Sequence, residues 1–284
     1  MGRLRTRTRY NKRSYESESK DPNKVFIIAV EGNETEAQYF CGLENNSKYL
    51  GIPSTVRIEV LDRYDTKSAP KYVVELLEEY IREGYTTTFI DKFKDTIENA
   101  GLGDTAENLI RKYFEDKISS ETRKEMERLI YEADRDRIYY QYLETWNIDK
   151  KEFCVVFDRD KQSTKPWDFS QVVKDSIEKG YRVVITNPCF EFWLLLHVCD
   201  VQKEYSLDEI IQNRSVSRDK NFVDSKLSEI LGGYNKSNIK FEEIFMNKID
   251  IAIKREKEYA TYWKDIINNV GSNVGSFIED IRKR

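Results

Sequence analysis

Four short strand-like runs, each followed by a helical pattern, constrain the fold of this chain more than any other feature. The runs at 25–30, 153–157 and 182–186 are largely apolar and rich in β-branched residues, as in strands buried on both faces of a sheet. The run at 56–61 alternates more, which predicts a strand nearer the edge. Strands that alternate with helices predict a parallel sheet with helices on both faces, and we expect the strand order 2-1-3-4.

Capping signals place several helix ends. Asn33 is the predicted N-cap of the helix after the first strand, and Glu36 stands three residues on, which is the capping-box spacing. Asp168 is expected to cap the helix after the third strand, and Gly180 to end it. The fourth strand leads into an almost wholly apolar helix at 189–198.

The chain divides into an arm, a split domain and an insertion. Residues 1–23 are predicted to form a basic flexible arm, because the first thirteen residues carry six lysines and arginines and no acid. Such an arm either contacts phosphates or is a solvated tail, and the sequence leaves both open. Residues 24–85 and 151–284 are expected to form one α/β domain with a helical C-terminal part. The mostly polar segment 86–150 is expected to be a helical insertion.

Composition argues against several classes of protein. A net charge of −4 over 284 residues is not that of a chain that binds polyanions with its whole surface. The four cysteines form no CxxC pair, which favours buried thiols in a reducing compartment over disulfides or a zinc site. No apolar run approaches the ~20 residues that cross a bilayer, so we expect a cytoplasmic protein. The single histidine, His197, is expected to be packed and not catalytic.

Acidic residues directly follow two of the buried strands. Glu31 follows the first, and Asp158 and Asp160 follow the third. Ligands of a doubly wound sheet gather at the carboxyl ends of its strands, and the first and third strands would be neighbours ~4.8 Å apart. Carboxylates that close repel one another, and a hard divalent cation removes the penalty. The pattern therefore predicts that Glu31, Asp158 and Asp160 bind Mg²⁺ or Mn²⁺, although an acid after a strand is often only a cap or a loop residue.

A few further charged side chains could have either a functional or a structural role. Glu191 lies in the first turns of the apolar helix, where an unpaired carboxylate is costly to bury. It is either a further catalytic residue or a partner of the helix dipole or of a basic neighbour. Glu36 is interpreted as a capping acid and not as a ligand. Lys161 and Lys236 could bind phosphate as point charges, but Lys236 follows a flexible stretch and is interpreted as a surface lysine.

Three segments taken together resemble the RloB-like family. They are VEGNETE at 30–36, VFDRD at 156–160 and NPCFEFWLLLH at 187–197. The family belongs to the TOPRIM superfamily and is similar to AbiL and OLD-type effectors of bacterial anti-phage defence. The resemblance covers about residues 24–85 and 150–280, in order. It implies a TOPRIM-like (Rossmann-like) four-stranded parallel sheet flanked by helices.

The resemblance also implies an activity and a partner. The activity is a metal-dependent nuclease that cuts RNA, such as tRNA, or DNA, with Glu31 as the strand-one acid and Asp158 and Asp160 as the DxD pair. The role is that of an effector in abortive infection, controlled by an ABC- or AAA-type ATPase partner, and a homodimer is compatible with it. Two alternatives stay open: a non-catalytic scaffold of an ATPase complex, and a primase-like nucleotidyl transferase. Lys161 follows the DxD closely where TOPRIM enzymes often carry a third acid, so Glu191 is the candidate to complete the set.

Overall fold

The protein is described by a computed structural model. The structure describes residues 22–32, 34–61, 69–83, 87–115, 117–132, 138–139, 142–143, 146, 148–160, 165–218 and 220–284. The predicted basic arm falls almost wholly outside these ranges, as do Asn33 and Lys161. The expectations for the arm and for Lys161 therefore stay predictions.

The strands form one main sheet and one small hairpin. In the described part of the chain they are β1 (Lys24–Val30), β2 (Val56–Val60), β3 (Lys151–Asp158), β4 (Arg182–Asn187), β5 (Ser215–Ser217), β6 (Lys220–Asn221) and β7 (Gly271–Ser272). The main sheet has the order β2-β1-β3-β4-β7, and β5 pairs with β6. The first four strands are parallel, which confirms the predicted order, and β2 lies at an edge as expected.

The sheet has one strand more than the four predicted. β7 pairs antiparallel with the end of β4, through Ser272 opposite Thr186. It spans two small residues, so it carries no hydrophobic alternation that a sequence pattern could reveal.

Helices and short 3-10 turns make up most of the rest. They are α1 (Thr35–Asn45), α2 (Pro70–Glu83), α3 (Thr87–Asn99), α4 (Ala106–Phe114), α5 (Ser120–Glu132), α6 (Pro166–Glu178), α7 (Phe190–Val198), α8 (Val201–Glu204), α9 (Leu207–Gln212), α10 (Phe222–Leu231), α11 (Phe241–Ile244), α12 (Ile249–Glu256), α13 (Trp263–Ile266) and α14 (Val274–Arg282), with 3-10 turns at Ile148–Lys150 and Met246–Lys248. Among the described residues, no helix is both long enough and apolar enough to span a bilayer.

Both faces of the sheet are covered, as its apolar strands predicted. On one face, Phe26 belongs to a core that includes residues of α1, α7, α10, α12 and α14. On the other face, Val25 belongs to a core shared with α2 and α6. Phe93, Leu109 and Met126, from the helices within 86–150, are buried in that second core. Those helices therefore pack on the sheet face and not apart from it.

Two helix starts differ from expectation. α6 begins at Pro166 with Lys165 as its N-cap, so Asp168 lies in the first turn and not at the cap position. Proline at the first helical position has its φ already set for a helix, which places the N-cap three residues earlier than predicted. α1 begins at Thr35 after Glu34, whose side chain makes no capping hydrogen bond. Gly180 has a φ of +80° just after α6, as a helix-ending glycine should.

Register fixes which side chains meet at the carboxyl edge of the sheet. Val30, the last residue of β1, pairs with Val156, and Asp158, the last residue of β3, pairs with Thr186. Glu31 therefore emerges beside the end of β3. The carboxyl ends of three adjacent parallel strands thus converge on one place.

Candidate functional site

Glu31 and Asp158, which are 127 positions apart, lie side by side at this edge. The Oε2 atom of Glu31 accepts a hydrogen bond of 3.1 Å from the backbone N–H of Asp158. Parallel pairing of β1 with β3 brings the two positions together, as the predicted strand order required. The structure therefore joins these two of the predicted site residues.

Asp158 sits in a pocket of hydrogen-bond donors and like charges. Its Oδ1 atom accepts a hydrogen bond of 2.5 Å from the Thr186 hydroxyl. Asp158 is half-buried. Burial raises the pKa of Asp158 well above its ordinary value, and the carboxyls of Glu36 and Glu191 raise it further. The bonds from Thr186 and from the backbone of Phe190 oppose that rise.

Glu36 is a buried member of the same cluster. Its Oε1 atom accepts the backbone N–H of Gly32 at 3.1 Å, and the residue is 5% exposed. Burial raises its pKa from 4.5 to about 7, with further contributions from Glu191 and Glu31. A Cβ atom at position 32 would overlap the Glu36 carboxyl, so a larger residue there would have to displace that carboxyl. Glu36 does bond to backbone as a capping acid would, and it also belongs to the acidic cluster.

Glu191 links this cluster to a lysine. Its Oε1 atom lies 2.9 Å from Nζ of Lys236, and the same ammonium lies 3.0 Å from Oδ1 of Asp224. Burial alone would lower the pKa of Lys236, but the two carboxylates hold it above its ordinary value. The pKa of Asp224 is nevertheless raised, because burial and Glu191 outweigh the attraction of Lys236. Lys236 is exposed, as the expectation of a surface lysine required, but it also bridges two buried carboxylates, which the sequence did not predict.

Asp160 lies beyond the end of β3 and is partly exposed. Its backbone carbonyl accepts a hydrogen bond of 3.2 Å from Nη1 of Arg159. Burial lowers the pKa of Arg159, and the charge of Asp160 opposes that effect. The carboxyls that most raise the pKa of Asp158 are those of Glu36 and Glu191. A ligand role for Asp160 therefore stays a prediction.

The cluster suits a hard cation in its chemistry, though not in a preformed geometry. Within the described ranges, no three Asp, Glu, His or Cys side chains are already arranged to hold a metal ion. The available donors at the site are carboxylate oxygens, the kind that Mg²⁺ and Mn²⁺ prefer. The raised pKa values of Asp158 and Glu36 reflect burial beside like charge that a cation would relieve.

Sequence reasoning undervalued or missed several members of the site. Thr186 lies at the carboxyl end of a buried strand, which is the signal that identified Glu31 and Asp158, and that signal could have found it. Asp224 and Lys236 lie in the helical C-terminal part, and no local pattern connects either of them with Glu191.

The remaining candidates behave as packed residues. His197 is 2% exposed, with Nδ1 3.0 Å from the Trp193 carbonyl and Nε2 3.1 Å from the Tyr39 hydroxyl. Burial lowers its pKa to about 3, so it is neutral at physiological pH. The expectation of a packed histidine is confirmed. All four cysteines are free thiols, as expected.

Comparison with known proteins gave one match. A family model described as RloB-like protein matches residues 26–281. The matched region contains Glu31, Asp158, Glu191 and Lys236. No curated protein and no solved structure matched the chain.

Proposed function

The chain belongs to the RloB-like family, and from that premise we propose that it is a metal-dependent nuclease that cuts the phosphodiester bonds of RNA, such as tRNA, or of DNA. The observation that carries the proposal is the set of carboxyls gathered at the carboxyl edge of the sheet: Glu31, Glu36, Asp158 and Glu191. Burying like charges together opposes folding. Carboxyls with raised pKa values, as Glu36 and Asp158 have, are typical of functional sites.

Glu31 and Asp158 would hold the cation, Asp160 is the predicted further ligand, and Glu36 is the adjacent donor. Bound Mg²⁺ or Mn²⁺ would polarise a phosphoryl oxygen and lower the pKa of an attacking water. Thr186 fixes the Asp158 carboxyl through its hydroxyl, and the backbone of Asp158 fixes that of Glu31. These bonds orient the carboxylates before any substrate arrives, which lowers the cost of assembling the site.

The proposed setting is the bacterial cytoplasm, as an effector of anti-phage abortive infection. Support comes from the family and from its likeness to AbiL and OLD-type effectors. The same likeness supports control by an ABC- or AAA-type ATPase partner and is compatible with a homodimer. Co-purification of the tagged chain with the ATPase encoded beside it tests the partner, and recovery of the chain without that ATPase would contradict it.

A second candidate is a non-catalytic scaffold that binds the ATPase. The observation in its favour is that Glu31 and Asp158 are engaged in hydrogen bonds within the protein. Such bonds tie β1 to β3 and β3 to β4 with no need for a cation. The carboxyls would then serve to hold the sheet edge.

One experiment separates the two candidates. Wild type, Asp158→Asn and Glu31→Gln are incubated with total RNA and with plasmid DNA, with Mg²⁺ or with EDTA. Asparagine and glutamine keep the shape and lose the charge, so the fold should survive while cutting falls on the order of 10²-fold or more. Asp208→Asn, at an exposed position of α9, is the matched control and should cut as wild type does. Undiminished cutting by Asp158→Asn would refute the nuclease.

A further inference from the structure

A segment of the C-terminal part, residues 232–240, lies across the acidic cluster, and we call it the strap. It leaves α10 through Gly232 and Gly233, whose φ angles are +65° and +136°. Gln38 of α1 holds its backbone at two points, because Nε2 donates to the Lys236 carbonyl at 2.7 Å and Oε1 accepts the Ile239 N–H at 3.0 Å. The strap is therefore anchored to the helix that follows β1.

Tyr234 fixes the strap to the cluster itself. Its hydroxyl lies 3.4 Å from Oε1 of Glu191 and 3.2 Å from Oγ1 of Thr35. On the far side, the Ser237 hydroxyl donates to Oε2 of Glu34 at 2.8 Å. Lys236 stands between these two attachments. Its position is thus set from both sides.

The side chain of Lys236 is held at its ammonium, but as a whole it is not enclosed. The side chains of Glu191 and Asp224 are each 6% exposed, whereas that of Lys236 is 47% exposed. An ammonium carries three N–H donors, so two ion pairs leave it capacity for a further acceptor.

An acidic site that takes nucleic acid must overcome its own repulsion of phosphate. A cation bound by the carboxylates would supply part of the attraction, and the ammonium of a half-exposed lysine beside them would supply a second point of contact. We propose that Lys236 binds a backbone phosphate next to the scissile bond, with Glu191 and Asp224 as the positioning residues that hold its ammonium in place. This inference rests on the proposed nuclease function and names the residue that receives the substrate. It makes Glu191 a positioning residue that acts through Lys236.

Salt dependence of nucleic-acid binding tests the contact directly. Each phosphate that a protein cation neutralises adds about 0.7 to the slope of log K against log salt for a single strand and about 0.9 for a duplex. Binding of fluorescein-labelled single-stranded RNA and duplex DNA is followed by anisotropy, with Ca²⁺ in place of Mg²⁺. In the Lys236→Gln variant, the magnitude of this slope should fall by the amount of about one phosphate contact. Lys236→Arg should keep it, because it keeps the charge.

Lys240→Gln is the matched control. Lys240 lies on the same strap, but its ammonium pairs with Glu243 at 3.3 Å, outside the cluster. The Lys240→Gln substitution should leave the slope of log K against log salt unchanged. An equal fall in the slope for Lys240→Gln and Lys236→Gln, or no fall for Lys236→Gln, would overturn the inference.

Mn²⁺ titration by calorimetry separates the two proposals. Removing the positive charge of Lys236 should leave Mn²⁺ binding intact or tighten it, and thermal melting checks that each variant is folded. Wild type that binds Mn²⁺ and cuts, with an unchanged slope for Lys236→Gln, overturns the role of Lys236 alone. If the wild type neither binds Mn²⁺ nor cuts, the nuclease proposal is overturned. The salt dependence of the Lys236→Gln variant then still tests whether Lys236 contacts phosphate.

Discussion

Replacing Glu36 by glutamine should remove a pH-dependent loss of stability that the acidic cluster imposes. The pKa of Glu36 is raised from 4.5 to about 7 by burial and by its carboxyl neighbours. The folded state therefore binds a proton more tightly than the unfolded state, and the stabilisation by that proton is complete below about pH 4.5. It is lost as pH rises through about 7. Since each unit of pKa is worth about 1.4 kcal/mol, the loss is on the order of 3 kcal/mol.

Urea unfolding of wild type and Glu36→Gln at about pH 5 and about pH 8, in EDTA, measures this difference. Glutamine is neutral at both pH values and keeps an oxygen for the Gly32 N–H. The stability of wild type should fall by about 3 kcal/mol more than that of the variant between the two pH values. Mg²⁺ should shrink the difference, because a cation replaces the proton as the charge partner. Equal pH dependence of the two proteins would refute the reasoning.

Three further predictions concern Gly32, the pH dependence of Mn²⁺ binding, and Tyr139. Gly32→Ala should destabilise the protein by about 1–3 kcal/mol in urea unfolding and abolish Mg²⁺-dependent cutting, because its methyl group overlaps the Glu36 carboxyl; wild-type values for both would contradict this. Mn²⁺ affinity, measured by calorimetry, should rise by up to about tenfold per pH unit below about pH 7 and then level off, since the cation displaces the proton of Glu36; a flat profile would show that Glu36 keeps its proton. Tyr139→Phe should cost about 1–3 kcal/mol in urea unfolding, because the Tyr139 hydroxyl donates to Oε2 of buried Glu59 at 3.0 Å; Tyr49→Phe, at an exposed position, is its control.

The parallel sheet and the meeting of Glu31 with Asp158 could be read from the sequence. Buried parallel strands leave continuous apolar runs, and such runs are local in the chain. Once the order 2-1-3-4 is assumed, the residues that follow the first and third strands must be neighbours. The same reasoning extends to Thr186, which lies near the end of β4, opposite Asp158.

Features that depend on the path of a connection could not be read in this way. β7 spans Gly271–Ser272, two small residues without periodicity, and it pairs with β4 only because α13 and its flanking turns return the chain to the sheet. Aspartate is a favourable N-cap residue, so Asp168 was a reasonable prediction, but the helix begins earlier, at Pro166.

The sequence by itself determined the four parallel strands β1 to β4 and the acidic ends of β1 and β3, because each depends on a pattern within a few residues. Only the tertiary structure decided that Lys236 neutralises Glu191 and that Glu36 shares its burial with Asp158. Those relations join side chains from separate helices and loops. The sequence gives the charge of each side chain, but its ion-pair partner depends on how distant segments of the chain pack together.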